Sequence, residues 1–221
     1  MQRNAVASAP SSPRAAGQSG AKRAPGWLLI GFWGCIAIAV AVVVRRVLAL
    51  AYPPHSAPPA MAGLDSAFAS HAALTLAHIL PALAFVIVAP LVVFRIPKGA
   101  AWPERLLFPL GAIVGITAYA MSRYAIGGWT ERSAVLLFNS LFLFCLFQAY
   151  RQKKREWLIR AIAILLGIAT TRPVMGIFFA TSRLTHLTPQ QFFGIAFWIG
   201  FSINTIVIEL WLRGRRERES V

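Results

Sequence analysis

The sequence predicts an all-α integral membrane protein, a bundle of six transmembrane helices with both termini in the cytoplasm. Hydrophobic residues make up 57% of the 221 residues and the mean hydropathy is +0.64, more than a water-soluble core requires. Six stretches approach the roughly 20 mainly apolar residues that a helix needs to cross the hydrocarbon layer. The basic residues are also distributed unevenly along the chain. A spanning barrel would instead show segments of about ten residues with alternating polarity, and the sequence has no such alternation.

Residues 1–26 contain no acidic residue and are rich in Ala, Ser, Pro, Gly and Arg. Such a segment buries too little apolar surface to fold, so it reads as a flexible cytoplasmic tail. An organelle transit peptide shares this composition and is the alternative. The six predicted spans follow at 27–44, 72–94, 106–126, 133–150, 157–179 and 192–211, forming one domain over 27–213 with a short cytoplasmic tail at 214–221. Between the first two spans, "VLALAYPPHSAPPAMAGLDSAFAS" is too rich in proline and small residues for a long helix and reads as a periplasmic loop. The remaining connections are short, which makes consecutive helices antiparallel neighbours. No internal repeat of the kind many transporters carry is visible.

The formal net charge of +15 suggests nucleic acid only until its placement is considered. Of the 22 Lys and Arg residues, all but Arg45, Arg46, Arg123, Arg132, Arg172 and Arg183 fall on one set of alternate connections and termini. That is the positive-inside pattern of a multi-pass protein of a bacterial inner membrane, with the lipid bilayer rather than nucleic acid as its partner. The Arg45-Arg46 pair either sits at the outer interface with its side chains reaching headgroups or changes the placement of the first helix. Cys35 and Cys145 both fall inside predicted spans, where thiols pack as small apolar groups, and they form no metal motif.

Charged residues inside spans are costly, about 2.5 to 3.5 kcal/mol for a central Arg on insertion scales, so each calls for a partner or a role. Arg160 enters the fifth span at the depth where Glu209 leaves the sixth. An Arg160 to Glu209 ion pair between these helices is one reading, and snorkelling of Arg160 to headgroups is the other. Arg172 lies twelve residues further on, about 18 Å along the axis, where snorkelling is harder. His71, Thr75 and His78 share a face of the second span. With Arg123 at the outer end of the third span and His186 in the last outer loop, they suggest a cationic cavity facing the periplasm. A set of structural hydrogen bonds near the interface is the plainer alternative. Asn139 and Asn204 read as interhelical hydrogen-bonding groups, and Pro81, Pro90, Pro109 and Pro173 as points that kink or loosen their helices.

"REWLIRAIAILLGIATTRP", "INTIVIELWLR" and "HILPALAFVIVAPLVVFR" together resemble an uncharacterised bacterial family of predicted membrane proteins, domain of unknown function two-three-zero-six. The resemblance covers roughly residues 70–213 and is carried most specifically by Arg160, Arg172, Asn204 and Glu209. It implies a fold and a membrane location without an activity. Two histidines that the family often carries, opening its third helix and preceding its fifth, are absent here, where the chain reads Glu104-Arg105 and Arg155-Glu156.

Three classes of function follow. The first is binding or transport of a quinone, lipid or small anion in a cavity around His71, His78, Arg123 and Arg172. The second is haem-based electron transfer, which would need an axial pair such as His78 with Met121 or Met175, since His71 and His78 stand on one face about 10 Å apart. No cofactor is otherwise expected. The third is a non-catalytic assembly role with a partner protein or in an oligomer. No HExxH, GxSxG or phosphate-binding glycine loop is present, and Glu209 is the single acid within the predicted spans, so an enzyme is the weakest reading.

Overall fold

The computed structural model describes residues 25–52, 65–66, 68–97, 99–186 and 188–219. Among these residues the chain is all helical, with no strand. Six helices are long and apolar enough to cross a membrane: α1 (Gly26–Ala51), α2 (Ala72–Phe94), α3 (Trp102–Met121), α4 (Gly128–Gln152), α5 (Arg155–Thr185) and α6 (Pro189–Glu219). The amino-terminal segment before residue 25 and most of the connection between α1 and α2 lie outside the described residues.

Several helices are longer than the apolar runs that announced them. Arg45 and Arg46 lie within α1, because the following "VLALA" keeps forming helix until Tyr52, just before the Pro53-Pro54 pair. α3 begins at Trp102 with Pro103 in its first turn, where proline lacks only an N–H that would be unpaired anyway. It ends at Met121 and tightens into a 3₁₀ turn, Ser122–Tyr124, so it does not run unbroken to residue 126. α4 starts at Gly128, five residues before the apolar run. α6 continues through Glu219, so the described part of the expected tail after residue 213 is helical. Pro81, Pro90, Pro109 and Pro173 all lie inside continuous helices.

Side-chain contacts establish the direction of each helix. Phe94, ending α2, packs on Phe32 and Trp33 near the start of α1. Phe108 near the start of α3 meets Tyr150 near the end of α4, and Phe144 of α4 meets Trp157 at the start of α5. Phe178 near the end of α5 stacks on Phe192 at the start of α6. With His78 early in α2 meeting Thr117 late in α3, consecutive helices are therefore antiparallel. Arg95, Arg105, Arg151, Arg155 and Arg213 gather at one end of the bundle, the basic end, while His71, Tyr124, Glu131 and His186 mark the far end.

Backbones approach closely among α4, α5 and α6. A Cβ placed at Gly200 would lie 2.7 Å from the Thr171 backbone N, and one at Gly194 would lie 2.7 Å from the Glu131 backbone N. Small residues let these backbones touch, which matters where surrounding lipid would offer no hydrophobic driving force for helix association. Phe85, Phe142, Leu107, Ile164 and Phe192 are fully buried in the interior. Outward faces are apolar as well, with Ile30, Leu80, Ile116, Phe147, Ile177 and Leu210 all exposed. α1 is held least, packing mainly on α2 and α5 with only Ile36 and Ala39 buried.

Candidate functional site

A cavity of about 230 Å³ opens among the helices in the far half of the bundle. Its wall is mostly apolar, built from Ala82 and Val86 of α2, Phe138 and Phe142 of α4, Ile168 of α5 and Phe197 of α6, with α1 contributing Ala39, Val42 and Val43. Into this surface project Arg46, His71, Thr75, His78, Glu131, Asn139 and Arg172. An apolar chamber with a few placed polar groups is the usual form of a small-molecule site.

Arg172 is the least satisfied of these groups. Its Nε is buried without a hydrogen-bond partner, and its Nη1 has only the Met175 thioether sulfur at 3.9 Å. No ion pair reaches it among the described residues. A guanidinium carries five N–H donors and remains charged, so leaving one enclosed without an acceptor is costly. Thr171 beside it turns its hydroxyl to the Ile168 carbonyl at 2.6 Å and contributes nothing to the guanidinium.

Glu131 supplies the opposite charge within the cavity. It was not expected in a span, and Glu209 is not the single acid of the spans: the candidate spans also hold Glu104, Glu131, Glu156 and Glu217, because α3, α4 and α5 start earlier and α6 ends later than their apolar runs. The Glu131 Oε2 accepts the Gly127 N–H at 2.7 Å, satisfying one of the free donors at the start of α4. The signal was present in "GGWTE", a glycine pair followed by an acid in the first turn.

His78 is tied to α3. Its Nδ1 lies 3.0 Å from Thr117 Oγ1, and the Thr117 hydroxyl lies 2.7 Å from the Ile113 carbonyl and 3.0 Å from that of Val114. Thr117 has one proton, which those carbonyls claim, so its oxygen accepts from His78 Nδ1–H. In the neutral ring Nε2 is then an acceptor. His71 caps α2 at the cavity mouth, sharing a hydrogen bond with Ser70 at 3.0 Å and packing its ring 3.7 Å from that of Tyr124. Asn139 gives its amide N–H to the Gly115 carbonyl at 2.9 Å, keeping its amide oxygen free of that bond.

Arg123 is exposed on the 3₁₀ turn and does not line the cavity, and neither does His186, exposed at the end of α5. The second guanidinium in the wall is Arg46, already engaged by Asp65 at 2.6 Å and lying 4.1 Å from the Phe68 ring centroid. Arg45 reaches the same carboxylate at 3.2 Å. The expected cationic cavity is thus charge-balanced, with Arg172 facing a wall that also carries Glu131.

Two other polar sets lie away from the cavity. Arg160 Nε donates to Glu209 Oε2 at 2.8 Å, Arg213 Nε donates to Glu209 Oε1 at 3.1 Å, and Glu156 pairs with Arg216. Asn204 joins α6 to α5, donating to the Ala163 carbonyl at 3.1 Å and accepting from the Thr170 hydroxyl at 2.7 Å. His78 and Met121 both line the cavity, whereas Met175 does not. The cavity, at about 230 Å³, is smaller than the roughly 300 to 1,000 Å³ typical of sites for drug-sized ligands. No group of three or more His, Cys, Asp or Glu residues suited to a metal occurs among the described residues. No family model, curated protein or solved structure matches the chain.

Proposed function

We propose that the protein is a multi-pass membrane protein that holds a small amphipathic molecule in the far-half cavity, with the molecule's polar head at Arg172. The Arg172 guanidinium, which lines a mostly apolar wall with only the Met175 sulfur near its Nη1 and no partner for its buried Nε, carries this reading. An acceptor on a bound molecule would satisfy the guanidinium, while an apolar body would lie along Phe138, Phe142 and Phe197. The apolar outward faces of all six helices fit a lipid surrounding. The concentration of arginine and lysine at one end fits a cytoplasmic location for that end and for both termini, in a bacterial inner membrane. The cavity then opens toward the periplasm. Relationship to the family of domain of unknown function two-three-zero-six remains part of this proposal and rests on the resemblance alone.

The test is chemical analysis of what the protein retains. Detergent-purified protein is washed, extracted with organic solvent and compared by mass spectrometry with Arg172→Met and Ala82→Phe variants. The reading expects one amphiphile enriched in the unmodified protein and depleted at least fivefold in both variants. Equal lipid profiles in all three would contradict it.

A further inference from the structure

We infer that the cavity selects a neutral head group that both donates and accepts hydrogen bonds, such as a phenol or hydroquinone on an apolar chain, over a simple anion. This rests on the reading of the cavity as a ligand site and concerns which chemical class it takes.

The inventory of polar atoms leads there. Arg172 is a donor with no acceptor function, and its Nε is unpaired. The other polar groups offer the reverse. His78 has committed its Nδ1–H to Thr117 and has Nε2 left as an acceptor. Asn139 has committed amide N–H to Gly115 and keeps an amide oxygen. Thr75 gives its hydroxyl proton to the Phe68 carbonyl at 3.2 Å. Glu131 adds a carboxylate, which while ionised is an acceptor without a donor. Arg172 thus brings the donor least matched by the protein, with Arg46 already held by Asp65, among acceptors at His78, Asn139 and Glu131; the second Asn139 N–H and the Tyr124 hydroxyl are the other donors in the wall.

A carboxylate or phosphate head would satisfy Arg172 but has no proton to give His78 or Asn139. It would also share a low-dielectric chamber with Glu131, where like charges repel strongly. A quinone carbonyl satisfies Arg172 and likewise leaves the acceptors unmatched. A hydroxylated ring accepts from Arg172 through its oxygen and donates its own proton to an acceptor across the cavity. Sites that leave buried polar groups unmatched discriminate against the ligand lacking the complementary group. The volume of about 230 Å³ suits a single ring or a short length of chain.

The experiment uses three probes with the same ten-carbon chain: decylhydroquinone under reducing conditions, its oxidised quinone, and decanoate. Each is titrated against the full-length protein in nanodiscs, with Ala82→Phe protein as the blank for partition into lipid. The expected order is hydroquinone tightest, by about fivefold to tenfold over quinone, with decanoate weakest. His78→Ala should reduce the hydroquinone preference to less than twofold, and His78→Gln, which restores an acceptor, should recover part of it. Arg172→Gln should weaken both ring probes. Decanoate binding tightest, or quinone equalling hydroquinone in the unmodified protein, would overturn the inference while leaving the cavity a ligand site. Saturable binding of none of the probes beyond the Ala82→Phe blank would overturn both.

Discussion

Arg160 Nε lies 2.8 Å from Glu209 Oε2, and this contact ties α5 to α6 near the basic end of the bundle. Arg160 is nearly buried, while Glu209 keeps about a third of its side-chain exposure and also accepts from Arg213. Glu156, one turn before Arg160, stands 3.9 Å from its Nη1. The buried guanidinium is thus surrounded by carboxylates, one close and one marginal.

Removing one partner should therefore cost more than removing both. Glu209→Gln leaves a buried cation short of its counter-ion and should destabilise by about 1 to 3 kcal/mol. Arg160→Met with Glu209→Leu removes both charges and should cost less than the sum of the single changes by about 1 kcal/mol or more. Reversible unfolding in mixed micelles, run as a double-mutant cycle, measures the coupling. An additive result would remove the pair from the stability account.

Close approach of α5 and α6 predicts an asymmetric response among glycines. Gly200→Ala drives a methyl toward the Thr171 backbone N at 2.7 Å, a position that cannot yield without separating the helices. A loss of about 1 to 3 kcal/mol is expected. Gly176→Ala meets nothing within 4 Å and should be neutral or stabilising by up to about 1 kcal/mol through helix propensity. Thermal unfolding of the two variants side by side decides it.

Asn204 should matter to the same interface by a smaller amount. Asn204→Leu removes its bonds to Thr170 and the Ala163 carbonyl, and interhelical hydrogen bonds in membranes average about 0.6 kcal/mol. A loss of about 1 kcal/mol is expected, shrinking when Thr170 is already Val. The same unfolding assay measures both.

At the cavity mouth, Asp65 binds Arg45 and Arg46 together. Asp65→Asn should weaken both contacts and loosen the short helical segment carrying Phe68, whose carbonyl is held by Thr75. Faster amide exchange at residues 68 to 71, with the α4, α5 and α6 core unchanged, is the expected signature in hydrogen exchange.

Legibility in the sequence followed the physics of each feature. Arg160 and Glu209 could be matched because antiparallel neighbours place equal distances from the same membrane face at equal depth. The second helix was readable at both ends because His71 and Arg95 bracket a continuous apolar run, Ala72–Phe94. Glu131 was missed because hydropathy locates the apolar middle of a helix, whereas its start is governed by the backbone donors that Glu131 caps. Arg123, expected at the cavity, does not line it, and Arg46, expected at the outer interface, does, for a related reason. Whether a guanidinium at a helix end turns inward depends on its rotation about the axis and on partners such as Asp65, nineteen residues from Arg46 in sequence. The unpaired Nε of Arg172 is a property of packing that no spacing encodes.

The most direct measurement is photolabelling of the full-length protein in nanodiscs with a decylphenol carrying a diazirine near the ring, followed by peptide mapping. A cavity site predicts labels on lining residues such as Phe138, Ile168 and Phe197, competed by excess unlabelled decylphenol and lost in Ala82→Phe. Labels confined to outward residues such as Ile116, Ile203 and Leu210, insensitive to competitor and to the variant, would contradict the account.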